Sequence, residues 1–344
     1  MRCHWAAWCL VFLLGFGALP AALGGADPRV ATLAAEVRGK GWIAYGARSA
    51  KGDWDLWLMR PDGSANRNIT NTPAYSEAAP RFSPDGTKML YRRLPPNATI
   101  SHDRWGFQGE LVLANADGSN PTVLGKPGKF PWAAWSPDGK QISCLTPKGI
   151  LIVDLATKQV VRKVPRKGFY QQLYWSPDGK WFCGVSNHFG QNWTVARMAA
   201  ATGEIHAVSS FRNCTPDWFP DSRRLIFSNR PKGQAGYGFT QLWFASLDGK
   251  ARGLLYGEDG RHIYGGALSP DGAYVLFSSG PKDGSGAAGR GGQIGLMRLA
   301  DAPIVTGKST ALRKVHPKTN NGPVLTLPIG WEPHWTYADV EASK

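Results

Sequence analysis

The chain has 344 residues, among them 15 Trp, 42 Gly and 25 Pro, and a formal net charge of +15. One hydrophobic core seldom serves a chain this long, so it must divide or repeat radially, each unit packing only on its neighbours. Helical periodicity is confined to about 29–37, which excludes a helix-rich fold, and the charge calls for anionic partners.

The first element is an export signal. Arg2 gives a positive start, Trp5 to Ala22 is apolar, and small residues follow, so cleavage is expected after Gly24 or Ala26. The apolar run is just long enough to span a bilayer, which makes an uncleaved anchor the alternative. Cys9 lacks the small residues that a lipidation site needs before it. Residues 1–24 are thus read as a signal peptide, 25–40 as a short leader segment, 41–337 as one folded unit and 338–344 as a tail, with no membrane span in the mature chain.

Strands follow from Gly41: Trp42-Ile43-Ala44-Tyr45, then 55–59, then Asn68-Ile69-Thr70. After them comes a repeat. The tetrapeptide Ser83-Pro84-Asp85-Gly86 recurs at Ser136, Ser176 and Ser269, with a worn copy at Phe219-Pro220-Asp221-Ser222. Pro fixes φ in the turn, Ser and Asp bond nearby backbone groups, and Gly takes the left-handed position that sends the next strand back antiparallel. Each copy follows a large apolar residue (Phe82, Trp135, Trp175, Trp218, Leu268) and precedes an apolar run, and the prolines lie 53, 40, 43 and 50 residues apart. A second turn recurs inside each unit, as at Arg60-Pro61-Asp62-Gly63 and Leu247-Asp248-Gly249. Two hairpins per unit make a four-stranded blade, and the period is that of a β-propeller.

Near the end, Glu332-Pro333-His334-Trp335-Thr336 matches the innermost strand of a blade with no further strands after it, whereas 41–72 supplies strands with no inner strand before them. The two ends complete one blade between them. The fold expected is therefore all-β: a six-bladed β-propeller of four-stranded antiparallel blades, closed by pairing of the C-terminal strand with N-terminal ones. The W-S-P-D-G signature and its second turns resemble the TolB-type, WD-repeat-like propeller family over 41–337, without the separate N-terminal domain that TolB carries. The resemblance implies an exported, noncatalytic scaffold, periplasmic or secreted, that binds a protein or cell-envelope partner; in that family one partner is a peptidoglycan-associated lipoprotein.

Two places suit binding. In an up-and-down blade the second turn and the inter-blade link share one face, and the long excursions 92–108, 186–193, 229–240 and 278–293 fall there, while the insertion 302–322 falls on the other. Arg93, His102, Arg104, Trp105, His188 and Tyr237 are its candidate contacts. The central channel is the second place. Counting back from the turn serine, the residues two before it are Arg81, Ala134, Tyr174, Asp217, Ala267 and His334, and those four before it are Ala79, Trp132, Gln172, Thr215, Gly265 and Glu332. Two-residue alternation puts both columns on one side of the inner strand, so Arg81, Gln172, Tyr174, Asp217, Glu332 and His334 converge near the axis. They either satisfy one another and trapped water or meet a ligand.

No catalytic residue, metal site or cofactor is read from the chain. There is no G-x-S-x-G elbow, the histidines lack metal-ligand spacing, and 302–309 fits a phosphate loop only with Ala302 in place of its first glycine. Cys144, Cys183 and Cys214 are an odd count once the leader is removed, with Cys144 and Cys183 expected as small buried residues. Four sequons stand at Asn68, Asn97, Asn192 and Asn213. The alternative to the scaffold is a lyase or hydrolase of an acidic polysaccharide, with Glu332, Asp217 and His334 as acid-base groups at the channel mouth. An acidic glycan is thus a second partner class; export disfavours nucleic acid, and a monomer is expected.

Overall fold

The structure, a computed structural model, describes residues 27–100, 106, 108–209, 212–230, 240–248, 251–258, 260–281, 291–301 and 322–340. Every paired strand in it is antiparallel to its neighbours. Four sheets hold four strands each, and their inner strands are Ser76–Phe82, Ala134–Trp135, Phe169–Trp175 and Asn213–Trp218. They are called below the 76–125, 134–164, 169–207 and 213–256 blades. The architecture is an all-β propeller of four-stranded antiparallel blades.

The fifth sheet has seven strands and holds both ends of the chain. Its hub is the long strand Leu325–Thr336. One half pairs outward with Gly292–Arg298, through Gly330 to Gly292 and Leu325 to Leu296. The other half pairs with Trp42–Arg48, through Trp331 to Gly46, Trp335 to Ile43 and Thr336 to Trp42. The expected closure is therefore seen: the C-terminal strand is hydrogen-bonded to the first strand of the fold, which leaves no open seam there.

The repeated turn works as its sequence implies. In the four intact copies the serine hydroxyl donates to the Asp two residues on, at 2.5–2.6 Å, and accepts the N–H five residues on, at 2.9–3.0 Å. The glycines take φ of +69 to +72°. The turns also latch blade to blade. A Cβ on Gly139 would meet Pro84, one on Gly179 would meet Pro137, and one on Gly272 would meet Pro220, so each glycine rests on the proline of the preceding turn. In the worn copy Ser222 holds the glycine position at φ +55°, and its hydroxyl takes the Asp178 N–H of the preceding turn at 3.0 Å.

The core lies between blades rather than within one. Cys183 and Val195 of the 169–207 blade pack with Trp218, Phe227 and Trp243 of the next, and Ile226, Leu242 and Phe244 pack with Val275, Phe277 and Met297 of the closure sheet. Each fully buried side chain of this size contributes about 1.5–3 kcal/mol. Both terminal segments seal the closure. The helix Pro28–Val37, capped by Asp27, buries Leu33 and Val37 against Ile43, Leu276, Ile294 and Trp335, while Glu36 accepts from Tyr274 and Arg298. At the other end Val340 is buried against Trp42, Leu56 and Tyr91, and its carbonyl accepts from Arg67.

Candidate functional site

All six residues four before the turn position are left-handed: Ala79, Trp132, Gln172, Thr215, Gly265 and Glu332 have φ between +49 and +63°. Five of them are not glycine, and Thr215 is β-branched, so the backbone is strained at this level at five of the six positions. The ladder registers shift at this level, between Ala78 and Arg81, Gln171 and Tyr174, Cys214 and Asp217, and Tyr264 and Ala267. Simple alternation therefore does not run through the inner strands, which corrects the reason given for the two columns. All six residues of the first column and Gln172, Thr215, Gly265 and Glu332 of the second line the channel, where the bulge turns the two levels toward the same axis, whereas Ala79 and Trp132 are buried in the hydrophobic core.

The structure brings the six expected channel residues into one cluster spanning opposite sides of the ring. Arg81 Nη2 meets Glu332 Oε2 at 2.5 Å and the Tyr174 hydroxyl at 3.4 Å, and Arg81 Nη1 donates to the Glu332 carbonyl at 3.3 Å. Gln172 Oε1 accepts the Thr215 N–H at 2.6 Å, and Thr215 Oγ1 accepts the Gly265 N–H at 3.4 Å, so two left-handed amides are each capped by the side chain one blade earlier. His334 Nδ1 accepts the Phe82 N–H at 3.2 Å, and Asp217 accepts the N–H of Trp218 at 2.7 Å. Two tryptophans extend the pattern outward: the Trp135 and Trp218 indoles donate to the Arg81 and Tyr174 carbonyls of the preceding blades.

Burial sets the charges. It opposes the Arg81 cation, but Tyr174 and Glu332 more than compensate and hold the guanidinium charged above its ordinary range. Burial lifts the Tyr174 phenol well above its usual value. It pushes Asp217 up to about 6, against the Trp218 N–H and Arg81 and with the help of Glu332. His334 is driven down to about 3 by burial and then by Arg81, so it is neutral near pH 7 and accepts from Phe82 rather than carrying a proton to give.

Above this floor the channel widens into a cavity of about 340 Å³ on the Ser-Pro-Asp-Gly face. Trp135, Trp175, Trp218 and Trp335 form its wall and Pro84, Pro137, Pro177, Pro220 and Pro270 its rim, with the turn serines among them and Arg81, Tyr174, Asp217 and His334 at its base. The cavity arises from the ring and from no single repeat, so no one copy of the turn announces it.

On the opposite face Arg93 is held by Glu110 at 2.7 Å and stacks on Tyr75, and His188 packs edge-on against Phe189 at 5.1 Å between ring centres. These two expected loop residues are not neighbours, since they belong to different blades. His102, Arg104, Trp105 and Tyr237 lie outside the described residues, as does most of 229–240, 278–293 and the 302–322 insertion. Three exposed large apolar side chains do sit on this face, on links or a second turn: Tyr75, Phe189 and Ile329. Cys144 and Cys183 are buried as expected, and burial raises the Cys144 thiol to about 12. Of the sequons, Asn68 and Asn213 are engaged by Asp55 and Asn229, whereas Asn97 and Asn192 are exposed. Among the described residues no three His, Cys, Asp or Glu converge as a metal site, and no helix is long and apolar enough to cross a membrane.

The structure of TolB from Acinetobacter baumannii superposes with a TM-score of 0.61 at 18% identity, covering 87% of this chain and 67% of that one. The fold is that of the TolB-type propellers. A segment of 55 residues is 42% identical to a TolB homolog of Chlorobium luteolum, over 15% of this chain and 12% of that protein. An uncharacterised Agrobacterium fabrum protein is 30% identical over 106 residues, or 30% of this chain and 35% of its own length. The chain thus spans a minor part of these two curated relatives. A nidogen/laminin complex structure superposes at a TM-score of 0.53 with 11% identity, over 79% of this chain and 95% of that one, which adds to the fold alone. No family model matches the chain.

Proposed function

We propose that this TolB-type propeller is an exported, noncatalytic scaffold of six blades, the seven-stranded sheet counting as two, that binds a protein or cell-envelope partner through its long-loop face. One observation carries the reading. The channel groups that could perform acid-base chemistry are spent on the ring: Glu332 on Arg81, His334 on the Phe82 amide and Asp217 on the Trp218 amide. Glu332 and His334 thereby join the last inner strand to the 76–125 blade, while Asp217 is held within its own strand, so each of the three is engaged within the protein rather than left free for a substrate. The exposed Tyr75 and Ile329, on links of the other face, supply apolar contact area suited to a protein partner.

The experiment is cross-linking of the purified chain in envelope extract, with partners identified by mass spectrometry. A specific partner captured by the wild type and by His334→Gln, and lost by Tyr75→Ala combined with Ile329→Asp, is the expected result. Loss with His334→Gln and retention with the loop variant would overturn the reading. In the enzymatic alternative the 340 Å³ cavity would hold an acidic glycan with Asp217 as base; turnover of polyuronates abolished by Asp217→Asn would establish it. Export is checked by fractionation and by the mature N-terminus, expected at Gly25 or Asp27.

A further inference from the structure

Among the described residues, the basic side chains of the long-loop face are most numerous over one blade. Lys126 and Lys129 lie on the link entering the 134–164 blade, Lys148 on its two-residue hairpin, Lys163 on its outer strand, and Arg166 and Lys167 on the link leaving it. The backbone joins these segments into a belt. Leu145 N–H donates to the Pro131 carbonyl at 2.8 Å, tying the entering link to the hairpin. Gly149 abuts the Lys163 side chain, which joins the hairpin to the outer strand. Farther on, the Ser186 hydroxyl donates to the Lys167 carbonyl and the Asn187 N–H to that of Gly168, which brings in the His188–Phe189 loop.

Three features set this belt apart from a generally basic surface. Stretches 126–135, 145–150, 163–169 and 186–193 contain no Asp or Glu. None of the six cations makes an ion pair among the described residues, whereas Arg93 on the neighbouring blade is paired with Glu110. The second turn of this blade, 147–148, has two residues where that of the next blade, 187–193, has seven. Five of them are exposed and Arg166 is half-buried. Six like charges brought together on one surface repel one another and raise a positive potential that attracts an anion.

We infer that this belt binds an extended anionic polysaccharide, its carboxylates on the lysines and a sugar ring against Phe189. Charge complementarity sets the class, since a linear acid polymer presents a row of charges that can follow the belt. Phe189, 38% exposed and braced edge-on by His188, provides the flat apolar surface that a pyranose face needs. The site lies on the long-loop face that the scaffold reading uses but on other residues than Tyr75 and Ile329, so substitutions in the belt and at Tyr75 and Ile329 test the two readings separately.

The probe is a fluorescently labelled oligogalacturonate, titrated with the purified chain at low and near-physiological salt, with a neutral dextran oligomer and single-stranded DNA as comparators. Binding of the oligogalacturonate that weakens steeply with salt is expected, and Lys126→Glu, Lys148→Glu and Lys167→Glu combined should weaken it roughly a hundredfold, by removal and reversal of three charges. Lys180→Glu, at a turn on the opposite face, should change it less than twofold, and thermal melts should show both variants folded. Phe189→Ala should weaken the glycan and leave DNA binding unchanged. Absence of binding, equal loss with Lys180→Glu, or DNA binding as tight as the glycan with no effect of Phe189→Ala would overturn the inference.

Discussion

Glu77 illustrates how a single buried group sets a pH response. It lies between the first strands and the 76–125 blade, accepts from the Thr72 hydroxyl and leaves its Oε2 without a partner, and burial followed by the nearby Asp55 charge raises it to about 7. The native state therefore holds a proton that the unfolded chain releases near pH 4.5, so this contribution is full below that pH and is lost as pH rises to about 7. Glu77→Gln should gain stability relative to wild type by up to about 3 kcal/mol between pH 4.5 and 7.5, measured by urea unfolding across that range. His334 acts with the opposite sign. Its depressed value means that stability is lost as pH falls from 6.5 toward about 3, and His334→Gln should flatten that acid limb. Ser222 shows two small terms cancelling: glycine would relieve about 1 kcal/mol of left-handed strain but lose the bond from Asp178, worth about 1 kcal/mol. Ser222→Gly should thus be within about 0.5 kcal/mol of wild type and Ser222→Ala about 1 kcal/mol less stable, as thermal melts would show.

Among elements, the helix Pro28–Val37 changes role between sequence and structure. Its residues read as a leader with weak periodicity, yet Leu33 and Val37 are completely buried and Glu36 is bound by Tyr274 and Arg298. The periodicity was visible, but its docking surface is built from strands that lie far along the chain. Leu33→Ala should cost about 2–4 kcal/mol in chemical denaturation, the range for a buried leucine whose cavity cannot collapse. The turn is the opposite case. The Ser-Pro-Asp-Gly chemistry was legible residue by residue, and Ser136→Ala should remove two hydrogen bonds and cost about 1–3 kcal/mol.

For the molecule as a whole, closure rests on one strand that serves two sheets' worth of partners. Ending the chain at Gly330 would remove Trp331 and Trp335, expose the ladder of Trp42–Arg48 and leave both halves of the closure sheet with a free edge. Such a chain should lose its cooperative melt and become protease-sensitive throughout, whereas a radial stack without mutual dependence would lose only the terminal blade. Limited proteolysis followed by mass spectrometry separates the two outcomes.

The period, the turn residues and the partnership of the two ends followed from local chemistry. Pro, Asp and Gly carry their backbone preferences wherever they stand, and an inner strand without followers must find strands without a leader. The set of channel residues was legible by counting. Its meaning was not, because nothing in Gln172, Thr215 or Glu332 announces a left-handed backbone; that conformation is imposed where the inner strands crowd one axis, with Gln172 and Thr215 each capping an amide of the next blade and Glu332 binding Arg81. The cavity on the turn face likewise exists only between units. Sequence by itself determined what each blade is, since those preferences act within a few residues; the tertiary structure decided which surfaces the ring presents, since burial, charge and strain there depend on neighbours about forty residues away or at the other end of the chain.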